Sequence, residues 1–246
     1  MAFPHDHSRF PVTQWTAVVR ACHAADDKAR RDALGGICRD YWYPLYAFAR
    51  RLGHNQSDAE DFTQGFFGYL VEHNVLASAS RELGKLRTFL LAVFQRHIRD
   101  AEDRQRAQKR GGREVFVPLD LLDAEEMYRH EPADLATPES LFERSWALHV
   151  LRGAVANLRQ SQSTETSRRS FEILAPFLDP EDAAKASFEA AARDLGISIE
   201  AVRQGVSRMR RKFRDFLRRQ IAATLNNPND VQIDDELTAL QAALRG

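Results

Sequence analysis

SFEAAARDLGISIEAVRQGVSRMRRKFRDFLRRQ, residues 187–220, reads as two helices joined by a tight turn. The first places Phe188, Ala191, Ala192 and Leu195 at helical spacing and stops at Gly196, which can take the left-handed conformation of a helix C-terminus. Ile197 is expected to plug the corner. Ser198 can cap the second helix by accepting an otherwise unmade backbone N–H bond, and Glu200 suits its positive end. Val202, Val206, Met209 and Phe213 then repeat at i, i+4, i+7 and i+11, which makes one buried stripe. Off that stripe lie Arg203, Gln204, Ser207, Arg208, Arg210, Arg211, Lys212 and Arg214. Alanine at the helix contact, glycine in the turn and valine inside the second helix meet the steric needs of a helix-turn-helix. Its Arg and Gln side chains are those that bond bidentately to guanine and adenine edges. A solvated basic face is the plainer alternative; turn chemistry beside a basic second helix favours DNA binding.

The chain's 246 residues suffice for one large or two modest domains, and 43% hydrophobic content supports real cores. A mean hydropathy of -0.47 without a long apolar run argues against a membrane span. The start, MAFPHDHSRFPVTQW, lacks a signal pattern, so a cytoplasmic location is expected. Cys22 and Cys38 lack zinc-type spacing and suit a reducing compartment. Lys+Arg and Asp+Glu are 35 each, for no net charge, but the charges are segregated. Basic residues gather in Arg96 to Arg113 and in Arg203 to Arg219; acid gathers in Glu114 to Glu143 and in Asp230 to Glu236. That pattern suggests two DNA-facing modules on an acidic tether.

Taken in order, Phe10 to Cys22 reads as a short helix with Thr13 as its cap. Ala33 to Leu52 follows, with Trp42, Leu45, Tyr46, Ala49 and Leu52 on one face, a bend or restart at Pro44, and Gly53 at its end. Ser57 is expected to cap the next helix, in which Ala59, Phe62, Phe66 and Leu70 are buried while Asp58, Glu60, Asp61 and Gln64 face outward. Acids in a first turn are partly explained by the helix dipole. After a polar loop, Leu86, Phe89, Leu90, Val93, His97 and Ala101 trace an apolar face, with Arg96, Arg99, Arg104, Arg106, Lys109 and Arg110 pointing away. His97 is expected to be a structural histidine. Val115 to Thr137 reads as an acidic, Pro-interrupted linker with partial structure. Thr137 caps a helix opened by Pro138, whose core face is Leu148, Leu151, Val155 and Leu158. SQSTETS is a polar break, Phe171 to Leu178 a short helix, and Ile233 to Leu244 a last amphipathic one. No strand-like alternation, nucleotide-binding glycine loop, metal-ligand cluster or catalytic constellation stands out. An all-α protein with no enzymatic activity, cofactor or metal is expected.

Two helical modules, the first ending in a basic helix and the second in a helix-turn-helix, resemble an extracytoplasmic-function (ECF) sigma factor of bacterial RNA polymerase. The resemblance covers nearly the whole chain. It is carried by YWYPLYAFARRLGHNQSDAEDFTQGFF, LRTFLLAVFQRHIRDAEDRQRAQKRGG and SFEAAARDLGISIEAVRQGVSRMRRKF, with DAED followed by Gln64 its more specific part. It implies domains at 1–113 and 138–225, an acidic linker at 114–137 and a C-terminal extension at 226–246. The first domain would bind the clamp of the largest polymerase subunit through Asp58, Glu60, Asp61 and Gln64, and would melt the minus-10 promoter element. Arg81, Lys85, Arg87 and Phe89 would hold an extruded base, and Arg96, Arg99 and Arg104 would supply a cationic track. The second domain would bind the flap of the next subunit. Its Ser198, Arg203, Gln204, Ser207 and Arg208 would face the minus-35 groove, with Arg210 and Arg211 on phosphates.

The long connector RQSQSTETSRRSFEILAPFLDPEDAAK, the C-terminal extension and the opening FPVTQW resemble a subgroup often associated with serine/threonine kinases. Within that likeness Thr63, set in the acidic cluster, is a candidate phosphorylation site: a phosphate would add about −1.5 to −2 charge at a surface meant for polymerase. The final helix could pack on the second domain or shield its DNA face. A stand-alone helix-turn-helix regulator is the main alternative and would bind duplex DNA specifically without polymerase. An adaptor using its basic helices on an acidic partner would show no salt-steep DNA binding.

Overall fold

A computed structural model describes residues 27–73, 75–78, 85–107, 121–131, 137–225 and 227–245. The described residues form helices and turns, with one isolated antiparallel bridge between Lys85 and Leu225. The helices are α1 (Asp27–Arg51), α2 (Gln56–Glu72), α3 (Leu86–Ala107), α4 (Leu121–Arg129), α5 (Pro138–Gln160), α6 (Glu165–Leu174), α7 (Phe188–Leu195), α8 (Ile199–Ala223) and α9 (Asp230–Arg245). Short 3-10 turns at Val75–Ser78 and Ala175–Leu178, and one helical turn at Pro180–Ala183, fill the connections. Among the described residues no helix is long and apolar enough to cross a membrane.

The described residues divide into two compact units, one of those within 27–149 together with those within 221–245, the other of 150–220. The divisions fall inside α5 and α8, so neither the 114–137 linker nor the start of the extension marks a boundary.

In the larger unit α1 runs unbroken through Pro44, where a bend or restart was expected. Leu45, Tyr46 and Ala49 are buried as expected, but Leu52 is exposed beyond the helix end, and Gly53 turns the chain with φ +99. Asn55, rather than Ser57, caps α2: its Oδ1 accepts the Asp58 N–H at 2.9 Å. Ala59, Phe62, Phe66 and Leu70 form the expected buried stripe of α2. On α3 the buried stripe is Leu86, Leu90, Phe94 and Ile98; Phe89, Val93, His97 and Ala101 are only half-buried. Phe94 meets Phe66 and Phe48 edge-on, with ring centroids 5.1 and 6.2 Å apart. In the part of α5 that belongs to this unit, Leu141, Phe142, Trp146 and Ala147 are buried; of the expected core face, Leu148 here and Leu151 and Val155 further along are only half-buried, and Leu158 is buried.

The acidic linker contains a docked helix. Glu125 of α4 accepts the Tyr46 hydroxyl and a bidentate pair of bonds from Arg50, both at 3.0 Å. The Arg50 guanidinium also lies over the Tyr128 ring at 4.9 Å, and the Tyr43 hydroxyl donates to Glu131 at 2.5 Å. Burial disfavours the Glu125 carboxylate, but Tyr46 and Arg50 outweigh it and hold the carboxyl below its usual range. Thr137 caps α5 as expected, accepting the Ser140 N–H at 3.0 Å. The extension belongs to this unit, with Glu236 and Leu240 of α9 buried in it.

In the smaller unit Leu158, Phe171, Leu174, Phe177, Ala191, Ala192, Val202, Val206 and Met209 form the core. The expected polar break shrinks to Ser161–Thr164, because Thr164 and Ser167 make a reciprocal capping box that starts α6 early. Ser187 caps α7, accepting the Ala190 N–H at 3.2 Å.

Candidate nucleic-acid interface

Gly196 ends α7 in the left-handed region at φ 67, ψ 31, and the Ile197 N–H returns to the Ala192 carbonyl at 3.1 Å. Ser198 then caps α8 through the Ala201 N–H at 3.2 Å. Ile197 does not plug the corner as expected; it is 45% exposed at the turn. Turn and caps together fix which way α8 rolls. Val202, Val206 and Met209 are turned into the core and Phe213 is half-buried. Ser198, Arg203, Gln204, Ser207, Arg208, Arg210 and Arg211 are exposed.

The arginines on that face are not equivalent. Arg210 donates to the Phe177 carbonyl through Nη2 at 2.9 Å and Nε at 3.3 Å, so part of its donor capacity serves the fold. Arg203 lies 3.9 Å from Glu200 and over the Phe188 ring at 5.7 Å, a loose arrangement at the protein surface. Arg208 and Arg211 have no ion-pair partner among the described residues. Such a row of exposed guanidinium, amide and hydroxyl groups can donate to phosphate oxygens and base edges.

The cations expected on α3 divide in the same way. Arg96, Arg99 and Arg104 are exposed. Arg99 and Arg104 lie back along their own helix, donating to the carbonyls of Gln95 at 3.2 Å and Asp100 at 3.0 Å. Arg87 is not an exposed contact: it is 4% exposed, stacked 4.0 Å over the Trp146 ring. Its Nε donates to Glu143 at 2.7 Å and its Nη1 pairs with Glu236, which also takes the Lys85 ammonium. Burial works against the Arg87 charge, but Glu143 and Glu236 outweigh it and raise its pKa. Lys85 and Phe89 are half-buried, and Arg81 lies outside the described residues, as do the expected helix at 10–22 and the end of the basic run at 108–113.

On α2, Asp61 is exposed, and Asp58, Glu60 and Gln64 are half-buried along the same helix. Asp58 is partly a capping group, since its carboxylate accepts from Asn55 Nδ2 at 2.8 Å, and Glu60 accepts from Gln56 at 2.9 Å. Thr63 is not on this surface. It is 0% exposed, and its hydroxyl donates to the Ala59 carbonyl at 2.7 Å, so the hydroxyl that a kinase would have to reach is sealed inside the helix packing. This corrects the expectation of a surface phosphorylation site.

Sequence reasoning missed Glu125 and Glu236, acids in segments read as a partly structured linker and a last amphipathic helix. The available signal was weak: each sits one helical turn from a hydrophobic residue, Glu125 before Tyr128 and Glu236 before Leu240. Comparison with protein-family models, curated proteins and solved structures returns no match. Among the described residues no group of His, Cys, Asp and Glu is placed to hold a metal ion.

Proposed function

We propose that the chain is a sigma factor of the extracytoplasmic-function type, which binds core RNA polymerase and directs promoter-specific initiation. The observation that carries this reading is the division of α8. Its apolar stripe is buried under the capped turn from α7, while Arg203, Gln204, Ser207, Arg208 and Arg211 are exposed together on the other side. In this reading the 150–220 unit is a helix-turn-helix module that reads the minus-35 element as duplex. The larger unit meets the polymerase clamp through Asp61 with Asp58, Glu60 and Gln64. It follows the minus-10 strand with Phe89, Arg96, Arg99 and Arg104. No cofactor or enzymatic activity is part of the proposal.

Retention on purified core polymerase, followed by run-off transcription from a selected promoter, tests it. Retention with promoter-dependent transcripts is the expected result. Specific binding of duplex DNA by the chain alone, with no retention on core enzyme, would overturn it in favour of a stand-alone regulator.

A further inference from the structure

Lys85 and Arg87, at the start of α3, are held by a segment that follows the 150–220 unit in the chain. Leu225 pairs with Lys85 through the isolated antiparallel bridge. Further on, Glu236 of α9 is 1% exposed and takes the Lys85 ammonium on Oε1 and the Arg87 guanidinium on Oε2. Leu240 supplies a buried apolar anchor, and Arg144 Nη1 donates to the Leu244 carbonyl at 3.0 Å. The opposite face of α9 offers Asp230, Val231, Asp234 and Asp235 to solvent. A carboxylate this well buried is costly unless its cations stay with it. The docking of α9 therefore depends on Lys85 and Arg87. Locally, two cations face two carboxylates, Glu143 and Glu236; with α9 removed, two cations face Glu143 alone.

We propose that Leu225 and α9 form a releasable strap over a nucleic-acid contact. When docked, the Glu236 carboxylate occupies the place of a phosphate on Lys85 and Arg87. When it leaves, the pair regains one net positive charge and takes the phosphate backbone of an unpaired DNA strand, a polyanion that outcompetes one carboxylate. This rests on the sigma-factor reading only in assigning the start of α3 to the melted strand.

The test uses the full chain and a short fluorescent single-stranded DNA. Glu236→Gln should raise hydrogen exchange throughout α9. It should also tighten single-strand binding by about tenfold at low salt and steepen the log–log salt slope by about 0.7, the share of one more neutralised phosphate. Leu240→Asp opens the helix with Glu236 intact, so a gain in that variant does not come from deleting a carboxylate. Lys85→Ala in either background should return affinity and slope toward the wild-type values. Three results would overturn the inference: α9 opens and DNA binding stays at the wild-type level, the gain survives Lys85→Ala, or neither variant opens α9. Retention of the wild-type chain on core polymerase is read separately, so a failed sigma-factor assignment is distinguishable from a failed strap.

Discussion

Arg210 sits on the exposed side of α8, yet its guanidinium donates twice to the carbonyl of Phe177, at 2.9 and 3.3 Å. That contact ties α8 to the 3-10 turn at Ala175–Leu178, so an arginine expected on phosphate also stabilises the fold. Arg210→Ala should cost about 1 kcal/mol in urea unfolding, the net worth of an intramolecular hydrogen bond of this kind. Arg208→Ala and Arg211→Ala, with no such anchor, should stay within about 0.5 kcal/mol of the parent. If α8 meets promoter duplex as proposed, each of those two should weaken that binding in the presence of core polymerase and lower its salt slope by about 0.9. A stability loss at Arg208 equal to that at Arg210 would contradict the distinction.

Glu125 is the hinge of the α4 contact. Glu125→Ala leaves Arg50 and the Tyr46 hydroxyl without their shared acceptor, and should cost about 3 kcal/mol by thermal or urea unfolding. Because the Glu125 carboxyl is held below its usual value of 4.5, its stabilisation is complete above that pH. It is lost as pH falls through the lower, folded-state value. Acid titration followed by hydrogen exchange should therefore show α4 loosening at low pH, and Glu125→Ala should remove that step.

His97 is shifted down from 6.5 by burial and then by Arg104, with Asp100 opposing. From α2, Phe66 and Tyr69 pack on the ring at 5.9 and 5.6 Å. The folded protein thus favours neutral imidazole. Its contribution is whole above pH 6.5 and declines as pH falls below that value, because the unfolded chain takes the proton first. His97→Gln should flatten the stability profile between about pH 7 and 5, measured as urea midpoints.

Gly196 carries the turn into α8 at a positive φ of 67. Gly196→Ala should destabilise by about 1 kcal/mol, and Gly196→Asn by less, since asparagine tolerates this region better. Equal thermal midpoints for the glycine and alanine proteins would show that the turn had rearranged.

Asp61 is exposed on α2. If the acidic side of that helix meets polymerase, Asp61→Ala should lower affinity for core enzyme about fivefold or more while leaving the melting temperature unchanged. Core affinity equal to the parent's would remove Asp61 from the polymerase contact.

The elements written in local chemistry were legible in the sequence. The α7 turn was readable because glycine, serine and the Val202, Val206 and Met209 stripe all point to one geometry. The α2 stripe was equally plain. On α3 two apolar stripes run side by side, one through Phe89, Val93 and His97 and one through Leu90, Phe94 and Ile98. Periodicity accepts either, and only the Phe48 and Phe66 rings waiting on neighbouring helices select the second. The candidate site failed where charges find distant partners. Arg87 reads as a free cation because Glu143 and Glu236 lie 56 and 149 residues away in sequence. Thr63 reads as exposed because its neighbours Asp61 and Gln64 are polar, yet its own position falls beside buried Phe62.

The larger unit is assembled from two separated stretches of polypeptide, with residues 150–220 spliced between them. During synthesis its first stretch emerges early, and with it Glu143, but Glu236, the carboxylate that Lys85 and Arg87 share, is made only after the whole intervening unit. Every newly made molecule therefore passes through an interval in which the start of α3 has Glu143 and Trp146 but not α9, and any polyanion nearby at that moment competes with the protein's own later residues.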